Sequence, residues 1–248
     1  MQLSRLTTLT TLSAATLLAP LAASAQSDWR YRATVYGWTA GLDLAVGTSR
    51  GTVEGDLSIG DVLENLNFAF MATAEARYGP WGIIGDFVYA DIELDNAVPP
   101  NSGGYTGAVV DSDLTVGSIY GTYRVHETSQ LSVDLGVGLR WMDVSVSSTL
   151  TPGPVNAVNA DDWTDVVAAI RLRSDFNDRW YGVAFADVGG GLDGDSSSWQ
   201  VMAAVGYKFS PMWSAELGYR YLSISNTING NDLDLDMSGP LIGVTARF

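Results

Sequence analysis

Cysteine is absent from these 248 residues, and lysine and histidine occur once each, as Lys208 and His126. No disulfide framework or Cys/His metal cluster can be assembled from such a chain. Charged residues make up 17% of it, below the ~25% usual in soluble domains. The charge present is one-sided, at −15, which argues against nucleic acid as a partner. G-x-S-x-G and Walker motifs are missing, and a lone histidine leaves a His-dependent catalytic dyad little to work with. Beyond the N-terminal segment no run reaches 18 apolar residues, so no helix of the mature chain is expected to span a bilayer.

What is present begins with an address. Residues 1–25 carry one cation, Arg5, then an apolar stretch over residues 14–22, and close on Ala23-Ser24-Ala25. This is the pattern of a secretory signal peptide with an A-x-A cleavage site, which leaves residues 26–248 as the mature domain.

That domain reads as ten alternating segments: 29–46, 68–78, 81–94, 114–125, 131–147, 164–176, 180–190, 199–209, 213–224 and 237–248. Successive side chains of a strand point to opposite faces. In the fifth segment Leu131, Val133, Leu135, Val137, Leu139 and Trp141 therefore oppose Ser132, Asp134, Gly136, Gly138 and Arg140. The seventh is ambiguous in parity. Short connectors (79–80, 126–130, 177–179, 210–212) alternate with mostly longer ones (47–67, 95–113, 148–163, 191–198, 225–236). Aromatic residues such as Trp29, Tyr78, Trp81, Tyr123, Trp141 and Trp213 sit at segment ends. Short turns on one side, long loops on the other and aromatic girdles are the arrangement of a membrane β-barrel. A soluble sandwich also alternates, but its outer face would be dense in Lys and Glu. Here the polar face is mostly Gly, Ser and Thr with scattered charges of both signs.

The last segment sets Ile242, Val244, Ala246 and Phe248 on one face and Gly243, Thr245 and Arg247 on the other. It resembles the terminal strand of Gram-negative outer-membrane β-barrel proteins, and the likeness extends over the whole chain. The resemblance implies an all-β, antiparallel, up-and-down transmembrane barrel in the cell outer membrane, of ten strands with eight as the fallback. It implies Phe248 as the assembly signal, read by the barrel assembly machinery through the C-terminal strand, and outer-membrane lipid and lipopolysaccharide as surroundings.

On these parities Arg30, Arg32, Arg77, Arg124, Arg140, Arg171, Arg173, Lys208, Arg220 and Arg247 point inward, with Glu75, Asp86, Asp134, Asp165, Asp175 and Glu216. A barrel of this size has a narrow interior, so its charges must pair or stay wet. The favoured expectation is a packed network with glycines opposite to make room; the alternative is a hydrated, weakly anion-selective path. Asp61, Val62, Leu63, Glu64 and Leu66 break the strand pattern, with apolar residues at helical spacing and Asp61 as a candidate N-cap. They form a candidate plug in the first external loop. Acidic residues crowd the external loops, Asp232, Asp234 and Asp236 alternating on one face. Mutually repelling solvated loops are the favoured account, and divalent cation binding is the alternative.

The expected function is a non-enzymatic integral barrel with a largely filled lumen, contributing to envelope integrity or surface contact, with no cofactor. The alternative is a narrow channel for small anionic solutes, gated by the first loop.

Overall fold

A computed structural model describes residues 28–48, 51–95, 107–151, 155–228 and 231–248. The signal-peptide reading of residues 1–25 lies outside them. The strands are β1 (Trp29–Trp38), β2 (Gly41–Thr48), β3 (Gly51–Leu57), β4 (Leu66–Tyr78), β5 (Trp81–Asp95), β6 (Gly107–Glu127), β7 (Leu131–Thr151), β8 (Val155–Asp175), β9 (Trp180–Gly190), β10 (Ser196–Lys208), β11 (Trp213–Ile228) and β12 (Asn231–Arg247). One helix, α1 (Ile59–Glu64), lies between β3 and β4. Among the described residues no helix is long and apolar enough to cross a membrane.

Every neighbouring pair is antiparallel, and β12 closes the wall onto β1. The closing seam is completed at the chain's end, where Tyr31 and Phe248 exchange backbone hydrogen bonds of 3.2 and 3.0 Å. Ten strands therefore surround the lumen, and the eight-strand fallback is set aside. β1 and β2 together count as one of the ten. Trp38 faces Leu241 and Gly41 faces Ser238 in unbroken register along β12. The ladder lapses between them because Pro240 has no N–H to return to Thr39, whose own N–H reaches the Pro240 carbonyl at 3.1 Å. Gly239 is required there, since any Cβ would run into the Thr39 carbonyl oxygen.

Three expectations need correction. The external connectors are largely strand: β6, β7 and β8 each run 21 residues, well past the ~9–11 that cross a membrane. The first external loop is not all loop either, because β2 and β3 form a hairpin whose first strand pairs with the outer part of β12. Finally, α1 is capped by Ser58, not Asp61. The Ser58 hydroxyl accepts from the Asp61 N–H while the Asp61 side chain accepts from the Ser58 N–H, a capping box. Asp61, Val62, Leu63 and Glu64 are in α1, whereas Leu66 opens β4.

Side chains facing lipid are apolar and exposed: Phe70, Ile83, Ile119, Leu135, Val137, Val205, Leu217 and Ile242 among them. Paired rings mark the belt's margins, as in Trp81 against Tyr123 at 4.7 Å and Trp180 against Tyr207 at 5.0 Å.

Candidate functional site

The lumen is built in three tiers, and strand periodicity builds them. Lumen-facing residues recur every second position, so each strand contributes one side chain to successive tiers.

The innermost tier, nearest the short turns, is an ion-pair cluster. Asp134 of β7 accepts from Arg124 Nε at 2.8 Å, Arg77 Nη2 at 2.9 Å and Arg171 Nη2 at 2.8 Å. Glu75 of β4 accepts from Arg171 at 2.8 and 2.9 Å and from Arg77 Nε at 3.2 Å. Arg32 lies 3.4 Å from Glu75. Across the lumen the Tyr181 ring carries the Arg173 guanidinium at 3.7 Å, and its hydroxyl donates to Glu216 at 2.5 Å. A Cβ at Gly206 would collide with that ring, so only glycine leaves room for it. Asp175 pairs with Lys208 at 2.7 Å, and Arg247 donates to Ser214 Oγ at 2.9 Å.

The middle tier is largely buried, Arg140 and Asp165 completely so. Arg140 donates to Asp187 at 2.6 Å, Ser198 Oγ at 3.0 Å, the Tyr120 hydroxyl at 3.1 Å and Ser118 Oγ at 3.3 Å. Asp165 faces Arg140 in register but takes its bonds from the Ser196 and Ser198 hydroxyls at 2.5 and 2.6 Å. Ser198 thus links the two. Arg220 lies 3.0 Å from Asp86 and donates to the Tyr36 hydroxyl at 2.8 Å and to Gln200 at 2.9 Å.

One step further out the lumen is apolar. Along β1 Tyr36 gives way to Trp38, along β5 Asp86 to Val88, along β7 Arg140 to Met142, and along β11 Arg220 to Leu222 and Ile224. Val116, Met142 and Leu222 are each 0% exposed. Leu42 and Leu44 of β2 pack against the same cluster. This layer is a protein core inside a barrel.

The outer surface changes in the opposite sense at the same level. On outward parity Trp141 is followed by Asp143, Tyr89 by Asp91, and Val166 and Thr164 by Asp162. Carboxylates then face carboxylates across strands: Asp91 opposite Asp113, Asp143 opposite Asp162, and Asp236, Asp43 and Asp56 in a row. No group of three carboxylate or histidine side chains among the described residues could hold a metal ion. The shared proton demand between Asp43 and Asp56, a side-chain hydrogen bond, raises the Asp43 pKa above the usual carboxylate value. At α1 the Ser58 hydroxyl bond holds Asp61 below it.

Of the sixteen charged residues read as inward, fifteen join these contacts. Arg30 is the exception; it is exposed near the end of β1 and joins no described ion pair. Five partners went unread: Asp187, Tyr181, Tyr120, Ser196 and Ser198. Asp187 and Tyr181 were hidden because both faces of β9 carry apolar or aromatic residues, so no parity stood out. Tyr120 shares parity with Ser118 and Thr122, and Ser196 and Ser198 with Gln200, which was read on the polar face, and that signal was available. The plug residues do not form the apolar layer: α1 lies against β2 and β3, and wall side chains fill the lumen. His126 is exposed, next to a register shift in β6 near the short-turn end.

No family model matches the chain, and no curated protein matches it in sequence. Solved structures do match. The outer membrane protease OmpT from Escherichia coli aligns with a TM-score of 0.55 and 9% identity over 90% of this chain and 98% of that one. The translocator domain of the autotransporter NalP from Neisseria meningitidis gives 0.47, at 14% identity over 91% and 90%. Ail of Yersinia pestis gives 0.37, at 12% identity over 89% and 98%. The likeness to OmpT carries the fold, and the exposed apolar belt carries the membrane setting, since only a closed barrel satisfies every strand in lipid. The chain is a closed ten-stranded antiparallel β-barrel of the Gram-negative outer-membrane type, and its place is the outer membrane.

Proposed function

We propose that this barrel is non-enzymatic and closed to solutes, and that it serves the integrity or surface contacts of the envelope. The observation that carries this reading is the apolar layer of Trp38, Met71, Val88, Val116, Met142, Leu222, Ile224 and Met237, drawn from β1, β4, β5, β6, β7, β11 and β12. An ion crossing it would shed its water without a polar partner, at a cost of many kcal/mol. The ionic tiers beneath add a second obstruction, because most of their charges are already held by partners across the lumen. The position of His126 near the short turns supports the absence of a His-dependent dyad at the external rim.

Purified protein in planar bilayers tests this. The expected trace shows no unitary conductance steps. Reproducible steps with anion preference would overturn the closed reading in favour of a narrow channel gated by the first external loop.

A further inference from the structure

Between the innermost and middle tiers the lumen is hollow. A cavity of about 150 Å³ lies there, walled on one side by Ile84, Val183, Phe185, Met202 and Leu241. An apolar cavity of about this size accommodates a benzene ring. The rest of the lining is mostly polar, and its charges are uneven: five arginines, among them Arg173 and Arg247, against Glu75, Asp86 and Glu216.

One of these arginines has unspent capacity. It is not Arg220, which is more than nine-tenths buried, is held by Asp86, Tyr36 and Gln200, and lies over the Trp38 ring at 4.9 Å. Arg247 donates to Ser214 and faces the Tyr181 ring at 5.4 Å, with no carboxylate among its described contacts. The cavity's outer end is shut by the apolar layer. Toward the short turns it is less enclosed, since the Arg32 side chain keeps 30% of its surface exposed.

We propose that this cavity is a binding pocket, entered from the periplasmic side, for a small organic anion with a compact apolar body. Its carboxylate accepts from Arg247, which no described carboxylate neutralises, within the field of the surplus arginines. Its ring or short chain lies against Phe185, Met202 and Ile84. Either feature alone would select differently: an apolar void would take neutral hydrocarbons, and a fully paired ionic network would take nothing. The proposal rests on the closed lumen above only for the direction of entry.

Benzoate is the probe, titrated calorimetrically into the intact barrel in micelles, with protein-free micelles as the blank. Saturable one-to-one binding is expected, and benzamide, isosteric but neutral, should bind at least about tenfold more weakly, because a charge-assisted bond is lost. Met202→Trp, which fills the apolar side, should abolish binding while the barrel stays folded. Arg247→Gln should weaken benzoate and leave benzamide unchanged; if that variant fails to fold, the benzamide comparison and Met202→Trp decide. No saturable heat above the blank, or equal affinity for benzoate and benzamide, overturns the pocket. Bilayer recordings separate the two readings. A silent barrel that does not bind benzoate overturns the pocket alone. A conducting barrel that benzoate blocks upholds the pocket and overturns the closed lumen.

Discussion

Arg140 shows what a charge requires inside a barrel. It has no exposed surface, and four partners share its guanidinium. Removing it would strand Asp187 in a place water does not reach. Arg140→Ala should therefore cost about 3–5 kcal/mol, seen as a lower temperature for the heat-modifiable shift in gel migration. Arg30→Ala, at an exposed position outside the described ion pairs, should leave that temperature unchanged. The sequence carried the first half of this argument: the parity of Arg140 in an alternating run made it inward. It could not carry the second half. Asp165 lies directly opposite in register, yet the counter-charge is Asp187, two strands away from β7 and on a segment whose alternation is blurred by Tyr181, Val183 and Phe185 on the inner face. Pairing across a lumen depends on side-chain reach and barrel curvature, which no single-strand pattern encodes.

At the scale of elements, the strands reached further than their apolar alternation did. Residues 107–113 and 155–163 contain few alternating apolar side chains, and they read as loops, because beyond the lipid the outer face has no reason to be apolar. Strand 29–46 was legible throughout, including its continuation past Pro240 as β2. The hairpin that β2 makes with β3 has a pH dependence with a definite sign. Asp43 has a raised pKa through its bond to Asp56, so the folded hairpin holds a proton that the unfolded one releases. That contribution is fully present below the ordinary carboxylate pKa and is lost as pH rises through the raised value. Asp61 runs the other way: its lowered pKa gives α1 a stabilising cap above the ordinary value, lost as pH falls through the lowered one. Acidification should therefore tighten the hairpin and loosen α1. Residue-resolved hydrogen exchange, corrected for intrinsic rates, would show opposite changes in the two segments. Asp56→Asn should abolish the pH response of the hairpin and leave that of α1 intact.

At the scale of the whole molecule, polarity inverts along β5, β7 and β12. Within the membrane the barrel is apolar outside and charged inside; beyond it, carboxylates face outward and a packed apolar core fills the interior. Strand β7 crosses that boundary in a few residues, from Leu135 and Val137 outside with Asp134 and Arg140 inside, to Asp143 outside with Met142 inside. The inversion follows from which medium touches each face, since the same alternating backbone serves both halves. It yields a test on one strand and one parity. Leu135→Arg places a charge in hydrocarbon and should cost about 2–4 kcal/mol, whereas Asp143→Arg, eight positions along, meets water and relieves its opposition to Asp162. Cysteine in place of Leu135 should react with a lipid-soluble maleimide and resist a water-soluble one, and cysteine in place of Asp143 should show the reverse. Met142→Ala, one residue away but facing in, should cost about 2–5 kcal/mol as a core truncation without altering either labelling pattern. If Leu135 and Asp143 labelled alike, the boundary would not lie between them, and the outward carboxylates would need another explanation than the edge of the membrane.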